Sequence, residues 1–199
     1  MARTPKPRVT RAPAGAQSRP RRGSDDTPTS ARPRKAATPD ASRTLAAEAI
    51  ATLAHSQRMN RLLLESLNEA VWDAAPPGGK GRTIQAITAH VHNVRHMWLV
   101  ACAPGSRIPA KLERGTVTRK QALAALEQSA AALIAVIEPA LHGEAKLKHF
   151  PAGPMRFIGY HLAHEAHHRG QIASLARMSG HPISQSVMFG LWEWGKRGA

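Results

Sequence analysis

Residues 155–178, "MRFIGYHLAHEAHHRGQIASLARM", have the pattern of a long amphipathic helix. Their apolar side chains recur every three or four positions, which is the spacing of one helix face. Gly153 and Pro154 precede the stretch, and Gly180 and Pro182 follow it, so both ends carry residues that commonly start and stop helices. The sequence therefore predicts a helix between these boundaries.

Three further segments share this periodicity and are separated by stretches containing Pro and Gly: residues 42–75, 84–102 and 118–137. Thr83 and Thr118 stand where the second and third segments begin and are candidate N-caps. A short helix is predicted in "SVMFGLWEW", residues 186–194. Because aromatic residues make up only 4% of the chain and runs of β-branched residues are rare, strands are not expected. The predicted fold is all-α: residues 42–199 form a four-helix bundle with a short extra C-terminal helix.

Residues 1–41 have a different composition, rich in Pro, Ser, Thr and Arg and poor in large apolar side chains. Such a segment cannot bury enough apolar surface to offset the entropy lost on ordering, so we expect a disordered basic tail. Residues 1–40 hold ten of the 28 Lys and Arg residues, and the whole chain has a net charge of +15. A basic arm can attract nucleic acid, but no aromatic side chains are interleaved with its charges. A solubilising extension is the simpler interpretation.

The pattern of a secretory signal is missing at the start of the sequence, and we expect no later segment to be long and apolar enough to span a membrane. The single cysteine, Cys102, cannot form an internal disulfide bond and is typical of a reducing compartment. These features predict a cytoplasmic protein.

Three histidines of the helix predicted at residues 155–178 lie on one of its faces. At about 100° per residue, His161, His164 and His168 fall within about 60° of one another. Ile172 shares this side, so we expect the side to face the bundle interior. Histidines four positions apart can bind one metal ion together, because their side chains lie one above the other on the helix. His164 and His168 are therefore candidate metal ligands.

A third ligand must come from another helix, and the segment of residues 84–102 offers three more histidines. His90 shares a face with apolar residues such as Met97, which we expect to be buried, so His90 is the best candidate. His92 and His96 point well away from that face and are expected to be solvated or to lie at its rim. Earlier in the chain, the sequence offers His55 as a weaker candidate that fits a structural role better.

The letters "HEAHH", residues 164–168, also match H-E-x-x-H, the helical motif of zinc peptidases. The extended form of that motif needs Gly and His where this chain has Gln171 and Ser174, and no Asp follows Asp73 as an alternative ligand. Such peptidases hold an extended substrate along a sheet edge, which an all-α chain does not provide. A peptidase is therefore the less favoured interpretation.

The stretch "AHVHNVRHMWL", followed about seventy residues later by "HLAHEAHHRGQI", resembles the DinB family of helical metal-binding proteins. The resemblance spans about residues 42–197. It implies a four-helix bundle with an unusual connection order, often a homodimer, and a divalent metal ion, commonly zinc or nickel, held by three histidines. In the family, one histidine near the start of the second helix joins a later H-x-x-x-H pair, which is usually followed by R-G-Q. By position, His90 matches the first histidine, and His164 and His168 match the pair. Residues 169–171 match the R-G-Q.

The resemblance also implies a function. Characterised relatives are linked to metal-dependent transfer of low-molecular-weight thiols or to hydrolysis. We therefore expect a metal-dependent enzyme, a thiol transferase or a hydrolase, that acts on a small-molecule substrate such as a low-molecular-weight thiol. The alternative is a non-catalytic metal- or ligand-binding protein of a stress response.

Further residues near the ligand pair have candidate roles. Glu165 could act as a base or orient a bound water, although a solvated carboxylate is an equally good interpretation. Gln171 could donate to or accept from a ligand imidazole, and His161 is a candidate pocket residue. Tyr160 is expected to point away from this face and is assigned no role.

Overall fold

A computed structural model describes residues 39–195, which contain five α-helices, one short 3-10 helix and no strand. The helices are α1 (Pro39–Glu65), α2 (Ile84–Cys102), α3 (Arg119–Leu141), α4 (Pro154–Met178) and α5 (Gln185–Gly190). The prediction of an all-α chain with four long helices and a short one is confirmed. The predicted basic tail, for which a solubilising extension was favoured over nucleic-acid binding, falls almost entirely on residues 1–38, outside the described part, and α1 begins at Pro39.

The starts of α2 and α3 follow from their capping threonines. The side chain of Thr83 accepts a hydrogen bond from the backbone of Ala86, and Thr118 forms a reciprocal capping box with Gln121. Helix α3 continues past its predicted end near residue 137 and includes Pro139 in its last turn. Proline has no backbone N–H, so the hydrogen bond to the carbonyl of Ala135 four residues earlier cannot form, and the helix ends two residues later.

The end of the first helix is the main difference from the prediction. Helix α1 stops at Glu65, and residues 69–71 form the 3-10 turn. Asn68 adopts an extended backbone conformation and its side chain caps this turn by accepting from Ala70. The apolar periodicity continued to residue 75 because Val71 and Trp72, although outside the helix, are still buried in the core.

The four long helices pack so that α1 and α2 each contact α3 and α4, and α3 also meets α4. The buried apolar side chains form two clusters along the bundle. One includes Leu63, Ile84 and Ile172, and the other includes Leu99 and Phe157. Buried polar side chains from each of the four long helices occupy the level between the clusters.

Among the described helices, α3 alone is long and apolar enough, by length and composition, for a membrane span. The expectation that no segment would meet these criteria is therefore wrong. Leu126, Leu133 and Ile137 of α3 are buried in the two apolar clusters, which is also the behaviour of a core helix in a bundle.

Candidate metal site and buried polar layer

Three imidazole rings from two helices meet at one edge of the bundle. His90 comes from α2, and His164 and His168 come from successive turns of α4. The Nε2 atom of His164 lies 3.3 Å from Nε2 of His90 and 3.2 Å from Nε2 of His168. One ring nitrogen from each residue lies within 4.8 Å of the other two, an arrangement compatible with binding a metal ion.

The spacing of these nitrogens fits a first-row metal ion. Metal–nitrogen bonds of about 2.0–2.1 Å at tetrahedral angles separate neighbouring ligand nitrogens by about 3.3–3.4 Å. The two measured separations, 3.2 and 3.3 Å, are close to this value. Imidazole nitrogen suits zinc, copper, iron and nickel alike, so the donor set is consistent with a divalent transition metal without selecting one.

Gln171 fixes the proton of one ring. The Nδ1 atom of His168 donates to Oε1 of Gln171 at 2.8 Å, so that Nε2 of His168 keeps its lone pair and faces the other two histidines. The amide nitrogen of Gln171 donates in turn to Nε2 of the exposed His167 at 3.0 Å. This chain of contacts holds the His168 ring in the tautomer that a metal ligand needs.

The three rings are neutral near pH 7. Burial, followed by the charges of His168 and Arg82, lowers the pKa of His90 to about 4. Burial also lowers the pKa of His164 and that of His168, and for His168 the hydrogen bond to Gln171 partly offsets this effect. Because the neutral imidazole is the form that binds metals, no proton has to leave before an ion can be held.

The cluster lies at the rim of the bundle, since His90 and His164 are half-buried and only His168 is buried. A family model described as the DinB superfamily matches residues 52–172, which extend from α1 through the histidine pair of α4. The chain belongs to the DinB superfamily. No curated protein and no solved structure matches it. The resemblance carried by "AHVHNVRHMWL" and "HLAHEAHHRGQI" is thereby confirmed at the level of family and helical fold.

The face of α2 that meets the core of this DinB-superfamily bundle differs from the prediction. Met97, expected to be buried beside His90, is 48% exposed, whereas His92, Arg95 and Leu99 are buried. His90 therefore reaches the cluster from the edge of α2 and not from its buried stripe. The assignment of His90 to the inward face was wrong, although the residue does join the cluster.

His92 and His96 were expected to be solvated or at a rim, and for His92 this is wrong because its side chain is fully buried. The ring nitrogens of His92 lie 3.0 Å from the carbonyl oxygen of Ala125 and 2.8 Å from that of Ala110. The half-buried His96 donates through Nδ1 to the carbonyl oxygen of Pro109 at 2.8 Å. Both histidines therefore attach the long connection between α2 and α3 to the bundle and do not enter the three-histidine cluster.

Glu165 is not a solvated carboxylate. Its side chain is buried and forms an ion pair with Arg95, whose Nε and Nη2 atoms lie 2.8 and 2.7 Å from Oε1. The other oxygen, Oε2, accepts from Ser56 at 3.1 Å and from Asn60 at 2.8 Å. Burial raises the pKa of Glu165, but the charge and hydrogen bonds of Arg95 outweigh it and hold the pKa below its usual value.

The ion pair belongs to a polar layer that joins all four long helices. Arg95 also donates to Gln57 of α1 at 3.0 Å and to the Leu126 carbonyl oxygen of α3 at 2.8 Å. Arg169 of α4 donates to Ser56 at 3.1 Å and to Asn60 at 2.7 Å. Sequence reasoning missed this layer. The one signal was an arginine four positions after Val91 and four before Leu99, both apolar, and that pattern is also typical of an exposed side chain.

His161 lies outside the three-histidine cluster although it shares the helix face. Its ring is fully buried and packs edge-on against Phe157, with ring centroids 4.7 Å apart. Neither ring nitrogen has a hydrogen-bond partner among the described residues. Burial lowers the pKa of His161 to about 4, so the ring is neutral near pH 7.

Two aromatic contacts complete the surroundings. Tyr160, which was assigned no role, stacks on His164 with ring centroids 5.9 Å apart and an angle of 11° between the planes. The i, i+4 spacing of the two residues on α4 is the signal that could have indicated this contact. In the C-terminal segment Trp194 stacks on His55 of α1 at 4.3 Å, so His55 packs against an aromatic ring and is not part of the cluster.

Proposed function

We propose that this protein is a metal-dependent enzyme of the cytoplasm that holds one divalent ion, zinc or nickel, on His90, His164 and His168. The observation that carries the proposal is the convergence of three neutral imidazole nitrogens at metal-ligand spacing. Three protein ligands are typical of catalytic sites, since they leave a coordination position open for water or substrate, whereas structural zinc sites have four protein ligands. The position at the rim supports access by a small molecule.

The proposed reaction is thiol transfer or hydrolysis. An ion bound there would favour the thiolate form of a low-molecular-weight thiol, or the hydroxide form of water, near neutral pH. The protein itself supplies a fixed ligand tautomer through Gln171 and a stacking partner for His164 in Tyr160. Both contacts restrict ring movement, which supports a preorganised site.

The proposal assigns Glu165 a supporting role and not that of a general base. Each of its oxygens accepts hydrogen bonds from buried donors, and the carboxylate is paired with Arg95. A base must be free to take a proton from a bound molecule, so Glu165 would first have to break this buried network. Because Glu165 directly follows the ligand His164 in α4, the network fixes the turn of helix that carries the ligand.

A non-catalytic metal- or ligand-binding protein is the second candidate. The hydrogen bonds and the ion pair of Glu165 favour this second candidate, because they leave the cluster without a free carboxylate from the H-E-x-x-H motif. Turnover separates the two functions: an enzyme would convert a thiol and an electrophilic substrate only when loaded with metal, and a binding protein would show metal-dependent binding without product.

Metal content tests the site itself. We expect about one ion per chain in wild-type protein by mass spectrometry and little in the His90→Ala and His168→Ala variants. His181→Ala is the matched control, since it removes an exposed histidine outside the cluster and should leave the content unchanged. Equal occupancy in all four proteins would reject the assignment of the ligands.

A homodimer is the proposed assembly. Its support is the exposure of large apolar side chains on the C-terminal segment, where Phe189 is 62% and Trp192 is 77% exposed. Light scattering of wild type and a Phe189→Ser/Trp192→Ser variant tests this, and a wild-type mass of one chain would contradict it.

A further inference from the structure

A groove of about 420 Å³ adjoins the histidine cluster between the loop before α2 and the second half of α4. Ile87 and Leu175 provide apolar surface, and Lys80 and Arg82 provide two positive charges. The groove is within the usual size range for small-molecule sites, about 300–1,000 Å³.

The groove and the cluster share a wall. Gln171 lines the groove and accepts the hydrogen bond from Nδ1 of His168, so a molecule in the groove lies one side chain away from a candidate metal ligand. Ile87, three residues before His90 on α2, also lines the groove, so both helices that carry the cluster contribute to it.

The positive charge of the groove is uncompensated. Its lining contains no acidic residue, and within residues 39–195 neither Lys80 nor Arg82 forms an ion pair. A larger groove between α1 and α3, of about 570 Å³, is different, because three carboxylates accompany its three basic side chains. The groove beside the cluster therefore favours an anion, and the one between α1 and α3 does not.

The loop that carries the two basic residues has a defined conformation. Gly81, between them, has a φ of 114°, which L-residues rarely adopt, and a Cβ there would lie 3.8 Å from the ring of Pro76. Lys80 and Arg82 therefore line the groove from a turn whose backbone would be strained by a residue other than glycine at position 81.

We infer that this groove binds the oxyanion group, a carboxylate or a phosphate, of a small-molecule substrate whose reacting end faces the histidine cluster. The inference rests on the proposed function, since it assigns the class of molecule that the same site takes. Arg82 provides a planar pair of donors suited to an oxyanion, and Lys80 adds a second charge. The apolar side chains contact the carbon skeleton between the anionic group and the reacting end.

The test uses metal-free, isotope-labelled full-length protein titrated with succinate or with inorganic phosphate and followed by NMR. We expect saturable shifts at the amides of Arg82, Gln171 and Ser174, and a dissociation constant about 3- to 10-fold weaker in Arg82→Ala. Arg61→Ala removes another exposed positive charge elsewhere on the bundle and should bind as wild type does. Tighter binding of succinate would indicate a carboxylate-bearing substrate, and tighter binding of phosphate a phosphorylated one.

Shifts outside the groove, or equal affinity in wild type and Arg82→Ala, would overturn the inference. Because the probe is bound without metal, this result does not depend on the metal content measured for the His90→Ala variant. A chain that binds the oxyanion and no metal would reject the proposed function alone. A chain that binds metal and shows no groove shifts would reject the substrate class alone.

Discussion

Replacing Arg95 by Met should destabilise the bundle by about 3 kcal/mol. Arg95 and Glu165 each have side chains that are 3% exposed, so Arg95→Met leaves a carboxylate buried without its main partner. Breaking a buried pair in this way costs about 3–5 kcal/mol. The lower value applies because Ser56 and Asn60 still donate to Glu165, and the charge of Arg169 acts on the same network.

The assay is urea denaturation of chelator-treated protein, so that metal binding does not contribute to the measured free energy of unfolding. In a thermal melt the same change should lower the midpoint by about 6–12 °C for a domain of this size. Arg61→Met is the control: Arg61 pairs with Glu65 at the surface, with side chains 61% and 49% exposed, and its loss should cost less than about 0.5 kcal/mol.

A double variant, Arg95→Met/Glu165→Leu, separates charge burial from lost packing. With the carboxylate removed, no uncompensated charge remains, so the double variant should be more stable than Arg95→Met alone. A loss below about 1 kcal/mol in Arg95→Met, or a double variant less stable than the single one, would refute the account of the polar layer.

Three further predictions concern single histidine environments. His161→Leu should raise the free energy of unfolding by about 1 kcal/mol in urea titrations, because it removes two buried nitrogens without partners; a loss of stability would contradict this. The free energy of unfolding of the wild type should fall as the pH drops from about 6.5 to 4. The pKa of His161 is about 4 in the folded chain and ordinary in the unfolded one, so the unfolded chain binds the proton first. The fall should be smaller in His161→Leu, which lacks this group. Gln171→Leu should weaken metal binding about 10- to 100-fold in a competition titration, and unchanged affinity would show that the contact with His168 does not orient the ring.

Helix boundaries were predictable where local chemistry determines them. Thr83, Thr118 and Pro154 start helices through side-chain caps or a fixed backbone angle, and each was visible in the sequence. The end of α1 was not, because Val71 and Trp72 continue the apolar spacing from a 3-10 turn. Periodicity reports which side chains are buried, and it does not report whether the helix that buries them is continuous.

The site was partly predictable for a related reason. The i, i+4 pair on α4 and the family resemblance together selected the three histidines that converge. The role of Arg95 and the burial of His92 could not be predicted, since burial was inferred from apolar neighbours. A buried arginine depends on partners from three other helices, and a single sequence does not show that those partners meet it.

The separation between the histidine cluster at the rim and the polar layer inside the bundle determines what metal loss does to the fold. The interior contacts that Arg95 makes to the other three long helices involve none of the cluster histidines, so they do not depend on an ion there, unlike the fold of a zinc finger. An ion bound by the cluster would therefore be exchangeable in the folded protein. The affinities of a three-imidazole site for divalent metals follow the general order and do not by themselves select one metal. The supply of each metal in the cell would therefore decide which ion the site holds.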